Sequence, residues 1–63
     1  MSAGFSSVIW EDGDTSEQIV LSGDGYVLVQ MATMKMIPLG QTVEEAVEKL
    51  KELEKWAAVQ FLK

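Results

Sequence analysis

The residues of this chain best suited to chemistry are acidic residues at a predicted turn. Asp12, Asp14 and Glu17 surround Gly13, and carboxylate oxygens are the ligands that calcium prefers. A calcium-binding loop needs more oxygen ligands at alternating positions and a bidentate Glu at its end, and this run is too short to supply them. The sequence therefore predicts a solvent-exposed hairpin tip here and no metal site.

Residues for nucleophilic or acid–base catalysis are scarce. The 63 residues include no His, Cys or Arg, so the hydroxyl groups of Ser6, Ser7 and Ser22 lack an ordinary activating base. Disulfides are excluded, and the usual ligands of zinc and haem are missing. Residues 23–25, Gly-Asp-Gly, lack the strand-to-helix context of a phosphate-binding loop and are typical of a turn. We therefore expect no enzymatic activity and no cofactor.

The chain is acidic. Ten Asp and Glu residues and five Lys residues give a net charge of −5 at pH 7. This charge disfavours direct contact with nucleic acid, because proteins bind phosphates through cationic side chains. Two alternatives stay open for its role. It keeps a small protein soluble, or it attracts a protein partner that carries a basic patch.

The beginning of the sequence predicts no export signal. The first ten residues, MSAGFSSVIW, lack the basic region and the long apolar core of a signal peptide. No apolar run in the sequence approaches the roughly 20 residues of a membrane span. We therefore expect a cytoplasmic protein that has no contact with a membrane.

Sheet-forming segments fill residues 5–37. Residues 5–10 and 18–22, and the segment that begins at Tyr26, are rich in β-branched, aromatic and other apolar residues. An Asp-Gly pair and a Gly-Asp-Gly triplet separate these segments, and both are typical hairpin signals. The pattern predicts three or four strands in a mostly antiparallel sheet.

A helix follows the sheet. Thr42 and Glu45 have the spacing of a capping box, in which the Thr hydroxyl accepts from the amide three residues later and the Glu carboxylate accepts from the start of the helix. The apolar residues that follow fall on one helical stripe: Val43, Ala46, Val47, Leu50, Leu53, Ala57 and Phe61. The sequence predicts one long helix over residues 42–63, packed on one face of the sheet.

The predicted helix changes character at Trp56. From there Trp56, Ala58, Val59 and Leu62 lie off the core stripe, so the last two turns are apolar nearly all round. A helix over residues 42–63 is about 33 Å long, whereas a six-residue strand spans only about 20 Å. The apolar end of the helix therefore meets a second copy of the chain, or it packs on a long third strand within the monomer.

The stretch MATMKMIPLG, residues 31–40, contains three of the four methionines and the only proline. Methionine fills irregular gaps and adapts to varied partners. Either the third strand continues through Met36, or the chain bends near Ala32 and returns as a fourth strand. We expect the two faces of this segment to have different roles, because the side chains of a strand alternate.

If the strand continues, one face packs in the core and the other meets a partner or ligand. Met31 and Ile37 extend the face of Val27 and Val29, and these residues are expected to pack under the helix. Met34 and Met36 extend the face of Tyr26 and Leu28. Together with Trp56 or Val59, these two methionines are expected to contact a second chain or a ligand.

Residues 25–52 combine a Gly-Tyr strand start with a Gly-x-Thr-x-x-Glu-Ala helix cap, carried by Gly25, Tyr26, Gly40, Thr42, Glu45 and Ala46. This segment, under half of the chain, resembles part of the N-terminal domain of HicB-like antitoxins. The family's Pro-and-Gly bend falls at residues 30–34, where this sequence has neither residue. The resemblance implies a β-β-β-α domain that oligomerises and binds a small basic toxin.

These patterns predict one α+β domain over residues 1–63, with β-β-β-α order. We expect a non-enzymatic, acidic homo-oligomer that acts as an antitoxin-like or inhibitor module and sequesters a protein partner. A small-molecule or nucleotide-binding oligomer with pockets between protomers and a structural assembly subunit are the alternatives. The predicted partner or oligomer interface comprises Met34, Met36, Trp56, Val59 and Leu62.

Overall fold

The computed structural model describes residues 7–63 of the chain. Phe5 and Ser6, which the sequence predicts to lie in the first strand, are outside the described residues. The described part is an α+β structure with four strands followed by two helices. The elements are β1 (Ser7–Asp12), β2 (Glu17–Ser22), β3 (Gly25–Gln30), β4 (Lys35–Gly40), α1 (Val43–Glu52) and α2 (Trp56–Leu62).

The four strands form one antiparallel sheet in the order β1-β2-β3-β4. Ile19 pairs with Leu28 across the two central strands, and both side chains are fully buried. Bulges interrupt the β1–β2 pairing between Val8 and Trp10, and the β3–β4 pairing beside Tyr26. The antiparallel sheet is as predicted, and the chain takes the alternative with a fourth strand.

Two of the hairpin loops differ from simple turn patterns. The first spans residues 13–16, rather than only two residues, and the Asp12 carboxylate accepts a hydrogen bond from the Asp14 amide at 2.9 Å. The loop between β3 and β4, residues 31–34, contains no Gly or Pro, and Met34 adopts a positive φ of 56°. A non-glycine residue in this left-handed conformation leaves no turn signal in the sequence.

The bend at residues 31–34 changes which face each side chain occupies. Leu28 pairs with Ile37 on the face that the helices cover, whereas Val29 pairs with Met36 on the opposite face. The prediction that Val27 and Val29 lie in the core was therefore wrong, and Leu28 takes that place. Ile37 does pack against the core, but Met31, also expected there, is 45% exposed.

The predicted single helix over residues 42–63 is wrong, because the chain forms two short helices. At the break, the Glu54 amide donates to the Lys51 carbonyl at 3.0 Å and the Lys55 amide donates to the Leu50 carbonyl at 2.9 Å. These two bonds, with Glu54 at a φ of 60°, form a Schellman C-cap. Glycine usually occupies the left-handed position of this motif, so a Glu there hides the stop from sequence inspection.

The break changes the side of the second helix that meets the core. Ala58 and Val59 are buried, and Leu62 packs partly against the core. Ala57 and Phe61, which a continuous helix would direct to the core, are exposed. The break therefore rotates the helical stripe, so Ala58 and Val59, rather than Ala57 and Phe61, join the core.

The core lies between the two helices and one face of the sheet. Its buried apolar residues are Ile19, Leu28, Leu39, Ala46, Val47, Leu50, Ala58 and Val59. Gly25 and Gly40 have φ angles of 115° and 147°. Gly25 lets β3 pass close to residues 40–41, and Gly40 lets the end of β4 pass close to Glu45 of α1. Within residues 7–63, neither helix combines the length and the apolar character needed to cross a membrane.

Candidate functional site

The face of the sheet opposite the helices is apolar and uncovered within the described residues. The strand register places Val20 beside Val8 and Val27, and Val27 beside Pro38. We call this surface the open face; its residues are Val8, Val20, Val27, Val29, Met36 and Pro38. Sheets with one covered face usually present polar side chains on the other, so an apolar open face points to association.

The open face is apolar across the sheet and polar at one corner. Gln18 lies beside Val29, and its side-chain amide donates to the Glu11 carboxylate at 3.2 Å. Met36 is 70% exposed and Val8 is 50% exposed, while the central valines are half-buried by their neighbours. This surface offers contact area and few hydrogen-bonding groups, so it suits packing against another apolar surface.

The edges of the sheet are less suited to association than its face. Pro38 lies on the edge strand β4 and has no N–H to donate to a further strand. The other edge strand, β1, contains a bulge between Val8 and Trp10. Proline and bulges are common protections against edge-to-edge pairing. The open face is therefore the better candidate for contact between chains.

A buried polar cluster lies beneath the first hairpin loop. Glu17 is 4% exposed, and one carboxylate oxygen, Oε2, contacts Lys55 Nζ at 2.8 Å and accepts from Gln30 Nε2 at 2.8 Å. The other oxygen, Oε1, accepts from the Thr15 hydroxyl at 3.0 Å. Both oxygens have donors within the chain, which indicates a structural role for this carboxylate.

The donors around Glu17 decide its charge. Burial by itself raises the pKa of the Glu17 carboxyl, because it penalises the charged form. The hydrogen bonds from Lys55, Gln30 and Thr15, with the positive charge of Lys55, outweigh this effect and hold the pKa below its ordinary value. Glu17 is therefore ionised at neutral pH and is poorly suited to donate a proton in catalysis.

A cavity of about 240 Å³ lies beside this cluster, between the end of β1 and the start of α2. The residues whose chemistry is relevant come from three separated segments: Trp10, Asp12, Glu17, Glu54, Lys55 and Trp56. Of these residues, only Trp56 was predicted to belong to a site. The others were missed because the helix break, which has no sequence signal, brings residues 54–56 beside β1.

The predicted interface residues do not form one surface. Met36 lies on the open face, Met34 is 80% exposed in the β3–β4 loop, and Trp56 lines the cavity. Val59 is 3% exposed and belongs to the core, because the helix break turns it inward. Leu62 is partly buried against the same core. The structure therefore disagrees with the placement of Val59 on an exposed surface.

The helix cap lies at the predicted residues, with one change in geometry. The Thr42 hydroxyl accepts a hydrogen bond from the Glu45 amide at 3.1 Å. The Glu45 carboxylate accepts from the Gln41 amide at 2.8 Å, whereas a capping box uses the amide of the capping residue itself. The cap positions the first turn of α1 against β4.

Within residues 7–63, no group of three or more acidic side chains is arranged to hold a metal ion. Comparison of the chain with protein-family models, with curated proteins and with solved structures finds no match. The features of the described residues that bear on function are the open face, the buried ion pair and the cavity lined by the two tryptophans.

Proposed function

We propose that this chain is a non-enzymatic, acidic binding protein that self-associates through its open face and presents its helical side to a protein partner. The observation that carries the proposal is the open face itself, where valines from three strands form an apolar surface with Met36 and Pro38 that no other part of residues 7–63 covers. Such a surface costs free energy while it contacts water. A second copy of the chain supplies a matching surface.

The distribution of charge supports self-association. The exposed residues Glu44, Glu48 and Glu52 lie on α1, which packs on the covered face of the sheet. Glu11 lies at one corner of the open face and forms a hydrogen bond with Gln18. Two copies can therefore meet through their sheets while much of their negative charge stays on the outer, helical sides. Like charges brought together at an interface would oppose association.

The size of the open face sets the expected strength of association. Four strands of six residues cover roughly 20 by 20 Å, so two copies bring together roughly 800 Å² in projection. Because side chains make the surface uneven, the accessible area buried by both copies exceeds this projected area. It still stays near the lower limit for specific interfaces, about 1,200 Å². We therefore expect a reversible dimer that dissociates in the micromolar range.

The proposed dimer is a face-to-face pair of sheets about 10 Å apart, related by a two-fold axis. Val20 and Val27, on the central strands, contact their copies near the axis. Met36 lies toward the rim, where its flexible side chain adapts to the partner. In this arrangement both helical layers face outward, and the cavities that contain Trp56 stay accessible.

The antitoxin-like part of the proposal depends on the two different sides of the chain, the open face and the helical layer. A self-associating sheet with an acidic helical layer on its outer side fits the module that the resemblance to HicB-like antitoxins implies. The expected partner is a basic protein, because opposite charges steer encounter and give specificity. Co-purification of a basic protein with the native chain, lost at high salt, tests this part.

The test of self-association uses a matched pair of glutamate substitutions. Met36→Glu introduces a charge on the open face, and Val43→Glu introduces the same charge at an exposed position of α1. We expect the native protein and Val43→Glu to change from monomer to dimer as concentration rises, measured by light scattering during gel filtration. Met36→Glu is expected to stay monomeric. Equal dimerisation of both variants contradicts the proposal.

The small-molecule alternative has less support from the described residues. The cavity beside Trp56 is smaller than the about 300–1,000 Å³ of typical ligand pockets. Its one lysine, Lys55, is bound to Glu17, so it is not available to bind a phosphate group. Native mass spectrometry of the purified oligomer tests this alternative, since a ligand held between protomers adds a discrete mass.

A further inference from the structure

We propose that the cavity between Trp10 and Trp56 binds an arginine side chain of the protein partner. The inference rests on the proposed function, because it assumes that the chain binds a basic protein, and it names the site and the side chain. It uses three observations: the aromatic lining, the unbalanced negative charge and the size of the cavity.

The aromatic lining favours a cation. Trp10 and Trp56 are the only tryptophans of the chain, and both line the same cavity although they are 46 positions apart in the sequence. Trp56 is 57% exposed, so a large aromatic surface stays available beside the cavity. The face of an indole ring attracts a guanidinium or ammonium group, and tryptophan is the strongest of the aromatic side chains in this respect.

The charge of the cavity also favours a cation. Three acidic residues line it, Asp12, Glu17 and Glu54, and Lys55 is the single basic residue among them. Lys55 lies 2.8 Å from Glu17, so its charge is matched by that carboxylate. The charges of Asp12 and Glu54 remain without a cation among the described residues. A bound side chain that carries one positive charge compensates part of this excess of negative charge.

The size of the cavity selects a single side chain. A volume of about 240 Å³ is smaller than pockets for drug-sized ligands. A planar guanidinium stacks on an indole ring while its N–H groups donate to a carboxylate, whereas an ammonium group offers no flat surface. The combination of indole rings with carboxylates therefore favours arginine over lysine.

The two tryptophans provide the readout. A short peptide, acetyl-Ala-Ala-Arg-Ala-Ala-amide, is titrated into the full chain while the two indole N–H signals are followed by NMR. We expect saturable shifts of both signals. A peptide with lysine in place of arginine is expected to bind more weakly. A peptide with norleucine at that position is expected not to bind. Absence of a saturable shift with the arginine peptide, or equal shifts with norleucine, overturns the proposal.

A matched pair of charge removals separates a specific site from general attraction. Glu54→Gln removes a carboxylate from the cavity, and Asp24→Asn removes one from the exposed β2–β3 turn. We expect Glu54→Gln to weaken arginine-peptide binding by about two- to fivefold, the range of one exposed ion pair. Asp24→Asn is expected to leave binding unchanged. Equal weakening by both variants overturns the proposal, because it shows an effect of net charge alone.

The aromatic contribution is tested by Trp56→Leu, with Trp56→Phe as the conservative variant. Trp56→Leu removes the aromatic face while it keeps an apolar side chain, and we expect about two- to fivefold weaker binding, followed on the Trp10 signal. Trp56→Phe is expected to retain part of the affinity. Binding that is unchanged in Trp56→Leu overturns the aromatic role.

Failure of this proposal can be told apart from failure of the proposed function. The solution mass of each sample reports self-association, and the peptide titration reports the cavity. Because the cavity and the open face lie on opposite sides of the sheet, Met36→Glu is expected to bind the arginine peptide as the native chain does. A dimer that ignores the peptide refutes the arginine site alone, whereas a monomer that binds it refutes self-association alone.

Discussion

Lys55 Nζ lies 2.8 Å from Glu17 Oε2, and this ion pair joins the break between the two helices to the first residue of strand β2. The Glu17 side chain is 5% exposed, whereas that of Lys55 is 30% exposed. The pair therefore unites a buried anion with a cation that still reaches water. Because of this asymmetry, we expect removal of Lys55 and removal of Glu17 to cost different amounts of folding stability.

Replacement of Lys55 is expected to cost more stability than replacement of Glu17. Lys55→Met leaves a buried carboxylate without its cation, and we expect a loss of about 2–3 kcal/mol, below the range for fully buried pairs because Lys55 is partly exposed. Glu17→Gln keeps polar contacts and leaves a lysine that water can solvate, at about 1 kcal/mol. Chemical denaturation measures both. A larger loss of stability in Glu17→Gln than in Lys55→Met would show that Lys55 is not the main partner of Glu17.

The ion pair also predicts how stability depends on pH. The pKa of Glu17 in the folded chain is lowered from its ordinary value of 4.5, so the unfolded chain binds a proton more readily than the folded chain does. The stabilisation from this group is complete above pH 4.5 and is lost as the pH falls through the lower, folded pKa. Thermal melting over this acidic range is the measurement.

The control for the pH prediction is Glu17→Gln, which cannot titrate. Its unfolding free energy should decrease less steeply below pH 4.5 than that of the native chain, so the two curves converge as the solution becomes more acidic. Parallel curves for the native chain and Glu17→Gln would mean that Glu17 does not contribute to the acid sensitivity.

Two glycines in one hairpin are expected to differ sharply in their tolerance of alanine. A Cβ at Gly25 would lie 2.5 Å from the Gly40 carbonyl oxygen, and its φ of 115° is strained for any other residue. We expect Gly25→Ala to cost about 2 kcal/mol. A Cβ at Gly23 meets no atom within 4 Å, so Gly23→Ala is the control. Similar thermal melts for the two variants would contradict this packing of β3 against the segment before α1.

Loss of the helix cap of α1 is expected to cost less stability than Gly25→Ala. Thr42→Ala removes the oxygen that accepts from the Glu45 amide, and the expected loss is about 1 kcal/mol, the usual value of such a cap. Far-ultraviolet circular dichroism during thermal unfolding measures it. Thr42→Ser retains the hydroxyl and is expected to stay close to the native value. A Thr42→Ala melt identical to the native one would place the start of the helix elsewhere.

The sheet could be predicted in outline because its strands carry ordinary signals. The alternation and β-branched residues of β2 and β3, with the glycines between them, indicate antiparallel pairing. The cap at Thr42 likewise predicts where the first helix begins. These features depend on neighbours in the sequence, so local reasoning reaches them.

The breaks could not be predicted, because their left-handed positions are occupied by Met34 and Glu54. Glycine or asparagine at those positions would have revealed both the bend before β4 and the end of α1. Each missed break then displaced side chains. The first placed Ile37 on the face of Leu28 instead of that of Val29, and the second moved Val59 into the core.

The candidate site was predicted only in part for the same reason. Met36 was expected to face a partner, and its exposure is compatible with that role. The cavity between Trp10 and Trp56 depends on contact between distant segments, which periodicity within one segment cannot show. Tertiary contacts of this kind enter only with the structure.

The most direct test of the central claim follows the methyl groups of the methionines by NMR. A soluble paramagnetic probe broadens methyl signals that reach solvent, and the native chain is compared at low and high concentration. Self-association through the open face predicts that Met36 becomes protected as concentration rises, while Met34, in the loop, stays accessible. If Met36 remains as accessible as Met34 at every concentration, the open face is not where copies of this chain meet.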